Sequence, residues 1–161
     1  MSVDTASKGG LRNDYSVITF WYVSDDRYCL DHVWRDRVEY PDLKRMVLAW
    51  ADEVKPATIL IEDKGAGTGL IQDLKAEDRE FQTVAYDPGS LDKETRMRIQ
   101  SAKIENGKVW LPERQLPWLD TFLDEIRRFP GGTHNDQVDS VSQFIDWITT
   151  KPDIGKLLVI R

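Results

Sequence analysis

The sequence predicts one α/β domain: a mixed sheet that begins with an N-terminal β-hairpin and is flanked by helices. Three observations lead there. Two strongly β-forming runs, at residues 15–23 and 27–35, are separated by the turn residues Ser24-Asp25-Asp26. A short continuous apolar run, Ala57-Thr58-Ile59-Leu60-Ile61, reads as a strand buried on both faces, and a helical pattern and another strand follow it. Beyond these, helical periodicities alternate with Pro and Gly breakers.

Element by element, Ser2-Val3-Asp4-Thr5-Ala6 reads as the end of a short strand that runs into a polar, glycine-containing loop at residues 7–13. Val17, Ile18, Thr19, Phe20, Trp21, Tyr22 and Val23 form the first hairpin strand, and residues 27–35 return as the second. Pro41 opens a helix to about Glu53, with Leu43, Met46, Val47 and Trp50 at helical spacing. The buried strand ends at Glu62-Asp63, where Gly65-Ala66-Gly67-Thr68-Gly69 reads as a glycine loop before a helix carrying Leu70, Ile71 and Leu74. Residues 83–86 form a strand and residues 91–105 a helix that is basic on one side. Asn106-Gly107 turns the chain into a short strand, Val109-Trp110-Leu111. Pro117 starts a helix to Arg128, Pro130-Gly131-Gly132 breaks it, and residues 134–149 form the last helix. Residues 151–161 are expected as a tail or an edge strand.

Composition bounds the function. The 161 residues are one ordinary domain with enough length for a hydrophobic core, and 40% are hydrophobic. The single cysteine, Cys29, excludes an internal disulfide and suits a reducing compartment, so cytoplasm is the expected location. No apolar stretch approaches the roughly 18 residues of a membrane span, and no secretory signal pattern is present. The net charge of −6 opposes nucleic-acid binding by bulk electrostatics. A protein that concentrates carboxylates around cations is nonetheless acidic while presenting a positive local field once they are bound.

Acidic residues stand at the ends of core elements in three places. Asp4 follows the first strand, Glu62 and Asp63 end the buried strand, and Asp136 and Asp139 lie on the last helix. Strand ends of an α/β sheet are where sites form. The i, i+3 spacing puts Asp136 and Asp139 on one helix face, beside the apolar Val138, Val141, Phe144, Ile145 and Ile148. Carboxylates at a core edge are costly unless something positive meets them, and hard divalent cations with oxygen ligands do so. Two such ions about 4 Å apart activate water and stabilise the leaving oxygen of a phosphodiester.

Three segments resemble the motifs of phage terminase large-subunit nuclease domains: Asp4-Thr5-Ala6 with Asn13-Asp14-Tyr15-Ser16-Val17, then Ile59-Leu60-Ile61-Glu62-Asp63-Lys64-Gly65-Ala66-Gly67, then His134-Asn135-Asp136-Gln137-Val138-Asp139-Ser140. Glu105-Asn106-Gly107-Lys108-Val109-Trp110-Leu111-Pro112 is also similar to that family, and the likeness runs from about Ser2 to Thr149. The resemblance implies an RNase H-like fold and a catalytic set of Asp4, Glu62 and Asp136. These would hold two Mg²⁺ or Mn²⁺ ions with Asp139 as a fourth ligand, and Asp63, Asp14 and His134 would be accessory residues. It implies an endonuclease that cuts concatemeric double-stranded DNA during genome packaging in the host cytoplasm. Its implied partners are the ATPase domain of the same large subunit, the small terminase subunit and the portal or procapsid. The family often has two acids after the histidine of the third motif; here the first of those positions is Asn135. No Gly-x-x-x-x-Gly-Lys-Ser/Thr stretch is present, so residues 1–161 are expected as a single nuclease domain without the motor.

Plainer readings stand beside these. Asp4 is also a turn or cap candidate, Asp136 a helix N-cap, Asp14 a turn acid, and His134 a solvated residue before the helix. Strand alternation sends Glu62 and Asp63 to opposite faces, so only one joins the cluster. Lys93, Arg96, Arg98 and Lys103 form either a DNA-phosphate contact face or a solvated helix face, and Lys8 and Arg12 are weaker candidates. The glycine loop supports a rival, a non-catalytic nucleotide-binding module, although Gly-x-Gly-x-Gly departs from the dinucleotide fingerprint. Two further alternatives are a junction resolvase of the same fold and an inactive docking domain.

Overall fold

The first core strand is short, and its two neighbours fix how the chain surrounds it. The computed structural model describes residues 1–6 and 15–150. The expected loop at 7–13 with Lys8 and Arg12, the accessory candidate Asp14 and the expected tail at 151–161 lie outside the described residues. Among the described residues the order is β1 (Ser2–Asp4), β2 (Ser16–Ser24), β3 (Arg27–Asp36), α1 (Tyr40–Val54), β4 (Thr58–Glu62), α2 (Ala66–Lys75), β5 (Gln82–Tyr86), α3 (Lys93–Glu105), β6 (Val109–Trp110), α4 (Leu119–Arg128) and α5 (Asp136–Thr150). The strands form one mixed sheet in the order β5-β4-β1-β2-β3-β6. β1, β2 and β3 are antiparallel neighbours, whereas β4 runs parallel to β1, β5 to β4 and β6 to β3. Asp25, at φ 54°, makes the tight turn of the hairpin, a backbone region that Asp tolerates better than most residues.

Strand alternation divides the core in two. Val3, Ile18, Phe20, Ile59 and Ile61 face α1 and α2, packing on Leu43, Val47, Ala51, Leu70, Ile71 and Leu74. On the other side Val17, Leu30 and Val33 pack against Phe122 of α4 and Val141, Phe144, Ile145 and Ile148 of α5. α5 is therefore enclosed by the sheet, α3 and α4, and ten of its residues are buried, including Gln137, Asp139, Ser140, Ser142 and Gln143.

Helix starts differ from the sequence reading for local reasons. α3 begins at Lys93 because Asp92 caps it, its carboxylate accepting from the Thr95 N–H at 2.9 Å. α4 begins at Leu119, two residues beyond Pro117, and α5 at Asp136 instead of His134. The glycine loop is corrected: Gly67, Thr68 and Gly69 lie inside α2, and Gly65 (φ 58°) is the one loop glycine of the five-residue run. A phosphate-cradling loop is therefore absent from this stretch. Among the described residues no helix is long and apolar enough to cross a membrane.

Candidate functional site

The parallel register of β1 and β4 pairs Ser2 with Leu60 and Val3 with Ile61, which carries Asp4 and Glu62 side by side to the ends of their strands. Val3 and Ile61 point to one face, so alternation sends Asp4 and Glu62 to the other, the face covered by α5. Asp63 takes the opposite course, exposed and accepting from the Thr68 hydroxyl at 2.7 Å.

Gly67 makes the β4–α2 junction possible. A Cβ there would lie 2.1 Å from the Glu62 carbonyl oxygen, so only glycine lets the first turn of α2 come this close. The backbone that presents Glu62 is thereby pinned.

α5 is held over these strand ends by buried hydrogen bonds. The Ser2 hydroxyl donates to the Ser140 carbonyl at 2.9 Å, and the Ser140 hydroxyl donates to the Ser2 carbonyl at 3.0 Å. Thr19 Oγ1 is 2.8 Å from Ser140 Oγ. Gln143 Nε2 donates to Ser2 Oγ at 3.0 Å and to the Leu60 carbonyl at 3.3 Å. One side chain of α5 thus reads both parallel strands at once. This latch brings Asp136 and Asp139 to Asp4 and Glu62. Nothing in local sequence period marks Ser2, Thr19, Ser140 or Gln143; the available signal is a polar residue wherever a core strand or helix should be apolar.

The result is a cluster of four carboxyl groups from three chain segments. Burial, and then the charges of Asp139, Glu62 and Asp136, hold the Asp4 carboxyl well above the usual carboxylate range, with Lys93 opposing. Burial and Glu125 raise Asp136, against Arg35, Lys93 and His134. Asp136 Oδ2 is buried without a hydrogen-bond partner. Burial likewise raises Asp139, although two cations meet it: Lys93 Nζ pairs with Oδ2, and Arg96 Nη2 lies 3.1 Å from Oδ1. A cluster whose acids raise one another and leave a buried oxygen without a partner fits a bound cation in its donor chemistry. It is not a finished cage: among the described residues no group of three or more His, Cys, Asp and Glu stands preset to hold a metal.

The basic residues of α3 behave differently from the solvent-facing or DNA-facing run expected. Lys93, Arg96, Gln100 and Lys103 form a stripe against α5, reaching Asp139, Asp139, Asp146 and Thr149 respectively. Arg96 is 5% exposed and committed to Asp139, so it is not part of an open basic face. Arg98 alone of the four candidates points away, exposed on the outer side of α3.

A further set escapes the sequence reading. Glu125 of α4, 7% exposed, accepts from the Gln137 backbone N–H at 2.7 Å and from Gln137 Nε2 at 2.7 Å, so it caps the start of α5. Arg35 Nη2 lies 3.4 Å from the same carboxylate, and its guanidinium stacks 3.7 Å above the Tyr15 ring. His134 meets the other side of this group, edge-on to Tyr15 with ring centroids 5.2 Å apart. A cleft of about 330 Å³, lined in part by Arg35, Glu125, Arg128, Gly132 and His134, opens beside the start of α5. The signal in the sequence was an acid and a base, Glu125 and Arg35, at positions whose periods face the core beside Phe122 and Val33.

Comparison with known proteins agrees with this architecture. Residues 1–146 match the terminase RNaseH-like domain family. The large terminase nuclease from thermophilic phage G20c with bound magnesium is 19% identical, with a TM-score of 0.65, over 90% of this chain and 78% of that one. The human cytomegalovirus terminase nuclease domain, Mn soaked, is 10% identical at a TM-score of 0.59, over 96% and 83% of the two chains. Fowlpox virus resolvase, in complex with its substrate Holliday junction DNA, is 12% identical at 0.61, over 93% and 98%. No curated protein sequence matches. The mixed six-stranded sheet with its flanking helices is the RNase H-like fold, and the chain belongs to the terminase RNase H-like domain family.

Proposed function

We propose that this domain is a metal-dependent endonuclease that hydrolyses double-stranded DNA during genome packaging. The observation that carries the reading is the convergence of Asp4, Glu62, Asp136 and Asp139 from three chain segments on one end of the sheet, with Asp136 Oδ2 buried and unpartnered. Asp4, Glu62 and Asp136 are the proposed ligands of two Mg²⁺ or Mn²⁺ ions, with Asp139 contributing as its pairing with Lys93 and Arg96 allows. The solved relatives named as holding magnesium or soaked with manganese support a divalent cation here. Such ions supply a lowered pKa for the attacking water and charge neutralisation at the leaving 3′ oxygen.

The chain's own residues do the rest. The Ser2–Ser140–Gln143 latch and Gly67 fix the carboxylates before substrate arrives, which is the preorganisation that electrostatic catalysis needs. Glu125 and Arg35 hold the start of α5, so Asp136 keeps its direction. Arg98 and Lys93 are the proposed phosphate contacts from α3, and His134, braced on Tyr15, is the proposed accessory residue near Asp136. The ATPase domain of a large subunit, the small subunit and the portal are proposed partners on family grounds, and the host cytoplasm is the proposed location.

Plasmid cleavage in Mn²⁺, in Mg²⁺ and in EDTA, with Asp4→Asn and Asp136→Asn beside the wild type, tests the proposal. Sequence-tolerant nicking or linearisation that requires metal and disappears in both variants is expected. Full cleavage by both variants would refute the assignment of the ligands. A strong preference for a four-way junction over duplex would replace the packaging substrate with a resolvase-type one.

A further inference from the structure

We propose that Lys93 is a removable counter-ion: its ammonium occupies the carboxylate cluster in the metal-free protein, a divalent cation displaces it, and the freed side chain turns to substrate phosphate. This inference rests on the metal-site reading above and concerns how that site is regulated.

Two cations meet Asp139, and their surroundings give them different jobs. The Arg96 side chain is 6% exposed and binds Asp139 Oδ1 at 3.1 Å from inside the α3–α5 interface. It has no route out without separating the helices. Lys93 binds the other oxygen, Oδ2, from the open side, with its side chain 51% exposed. It is the first residue of α3, and its flexible stem carries a compact charge with rotatable donors, whereas a guanidinium is a fixed fork. Its Nζ also donates to Asn135 Oδ1 at 3.2 Å, and its charge acts on Asp4 and Asp136 as well as Asp139. One monovalent group therefore serves three of the four acids.

That placement suits a cluster that has the donors for a metal although, among the described residues, no group of three or more stands preset to hold one. The ammonium takes an oxygen that a divalent ion would need, and the two cations repel each other across a shared carboxylate. A divalent ion brings twice the charge and inner-sphere oxygen bonds, so it wins the competition once present. Only the lysine end of the pair it breaks is half-exposed; the Asp139 side chain is 2% exposed, so the incoming ion must take over the charge that the ammonium neutralised. Released at the lip of the site, Lys93 adds positive charge where a DNA phosphate must approach an otherwise acidic protein. Metal loading and DNA capture become linked through one side chain.

The test follows lysine acylation by an N-hydroxysuccinimide acetate ester, mapped by mass spectrometry, on the DNA-free protein with and without Mn²⁺. Mn²⁺ affinity of wild type and Lys93→Gln is measured by calorimetry in parallel. Lys93 acylation is expected to rise several-fold with Mn²⁺ while Lys75 and Lys108 do not change. Asp4→Asn should abolish that rise. Lys93→Gln is expected to bind Mn²⁺ about tenfold more tightly, because no ammonium must first be displaced from the binding-competent state. If Mn²⁺ binds the wild type but Lys93 acylation and the Lys93→Gln affinity stay unchanged, the displacement is refuted and the metal site stands. Weaker binding by Lys93→Gln would also refute it. If the wild type binds no Mn²⁺, the metal-site reading fails and this inference fails with it.

Discussion

Gly67→Ala separates two opposite expectations about the same helix. By helix propensity alone, alanine inside α2 should stabilise it by about 1 kcal/mol. The structure reverses the sign. The added Cβ would stand 2.1 Å from the Glu62 carbonyl oxygen, a backbone atom in a paired strand that has no rotamer to change. Restoring van der Waals contact requires roughly 1 Å of movement between α2 and the end of β4, and overpacking of this kind costs about 1–3 kcal/mol. For a domain of this size the melting temperature should fall by roughly 3–10 °C before the smaller propensity gain is subtracted. Gly69→Ala is the control in the same helix, since its Cβ would meet Tyr40 Oη at 3.5 Å, an ordinary contact, and should leave stability unchanged or raise it. Thermal unfolding of both variants, with Mn²⁺-dependent cleavage measured below the transition, reads out the difference. The displaced atom belongs to Glu62, so Gly67→Ala should lose more cleavage than its residual foldedness explains. A Gly67→Ala protein at least as stable as Gly69→Ala would refute the steric argument and its link to the site.

Three further outcomes follow from the geometry. Glu125→Ala should cost about 3 kcal/mol in chemical denaturation, because it strands Arg35 and uncaps α5; a cost under about 1 kcal/mol would show that the buried pair is replaceable. Gln143→Leu should cost about 1–3 kcal/mol and lower cleavage, since it leaves the Leu60 carbonyl and Ser2 hydroxyl without this donor; a variant stable and fully active would remove the latch from the mechanism. The pH dependence of the metal-free protein has a definite sign. The carboxyls of Asp4, Asp136 and Asp139 are raised in the folded state, so their stabilising contribution is complete below the ordinary range near about 4 and is lost as pH rises through the folded values. The melting temperature in EDTA should therefore decline as pH rises above about 4, less so in Mn²⁺ or in Asp4→Asn; identical profiles in all three would refute it.

Much of this fold was legible because its signals are local. The hairpin follows from two β-branched and aromatic runs around Ser24-Asp25-Asp26, and β4 from a short continuous apolar run that ends at Glu62-Asp63. The convergence of the carboxyls was legible one step further, since strand ends and the i, i+3 pair on α5 are topological positions. What stayed hidden depends on neighbours that no period encodes. The basic stripe of α3 reads as a solvent face until α5 presents Asp139 and Asp146 to it. Gly67 and Gly69 look like a loop yet lie inside α2, and only in three dimensions does the close approach of Gly67 to the Glu62 backbone show why a glycine stands there. Glu125 and Arg35 interrupt apolar faces, and each is explained by partners distant in sequence: Gln137 and Arg35 for the one, Glu125 and the Tyr15 ring for the other.

The latch between Ser2 and Ser140 spans 138 positions of sequence. A chain emerging from the ribosome therefore exposes Asp4 and Glu62 long before the helix that must meet them exists, and loop closure over that separation comes late in folding. No partial domain ending before α5 can assemble the cluster. Assembly of the carboxylate cluster is thus tied to completion of the fold, so the nuclease proposed above would stay inactive until its last helix docks.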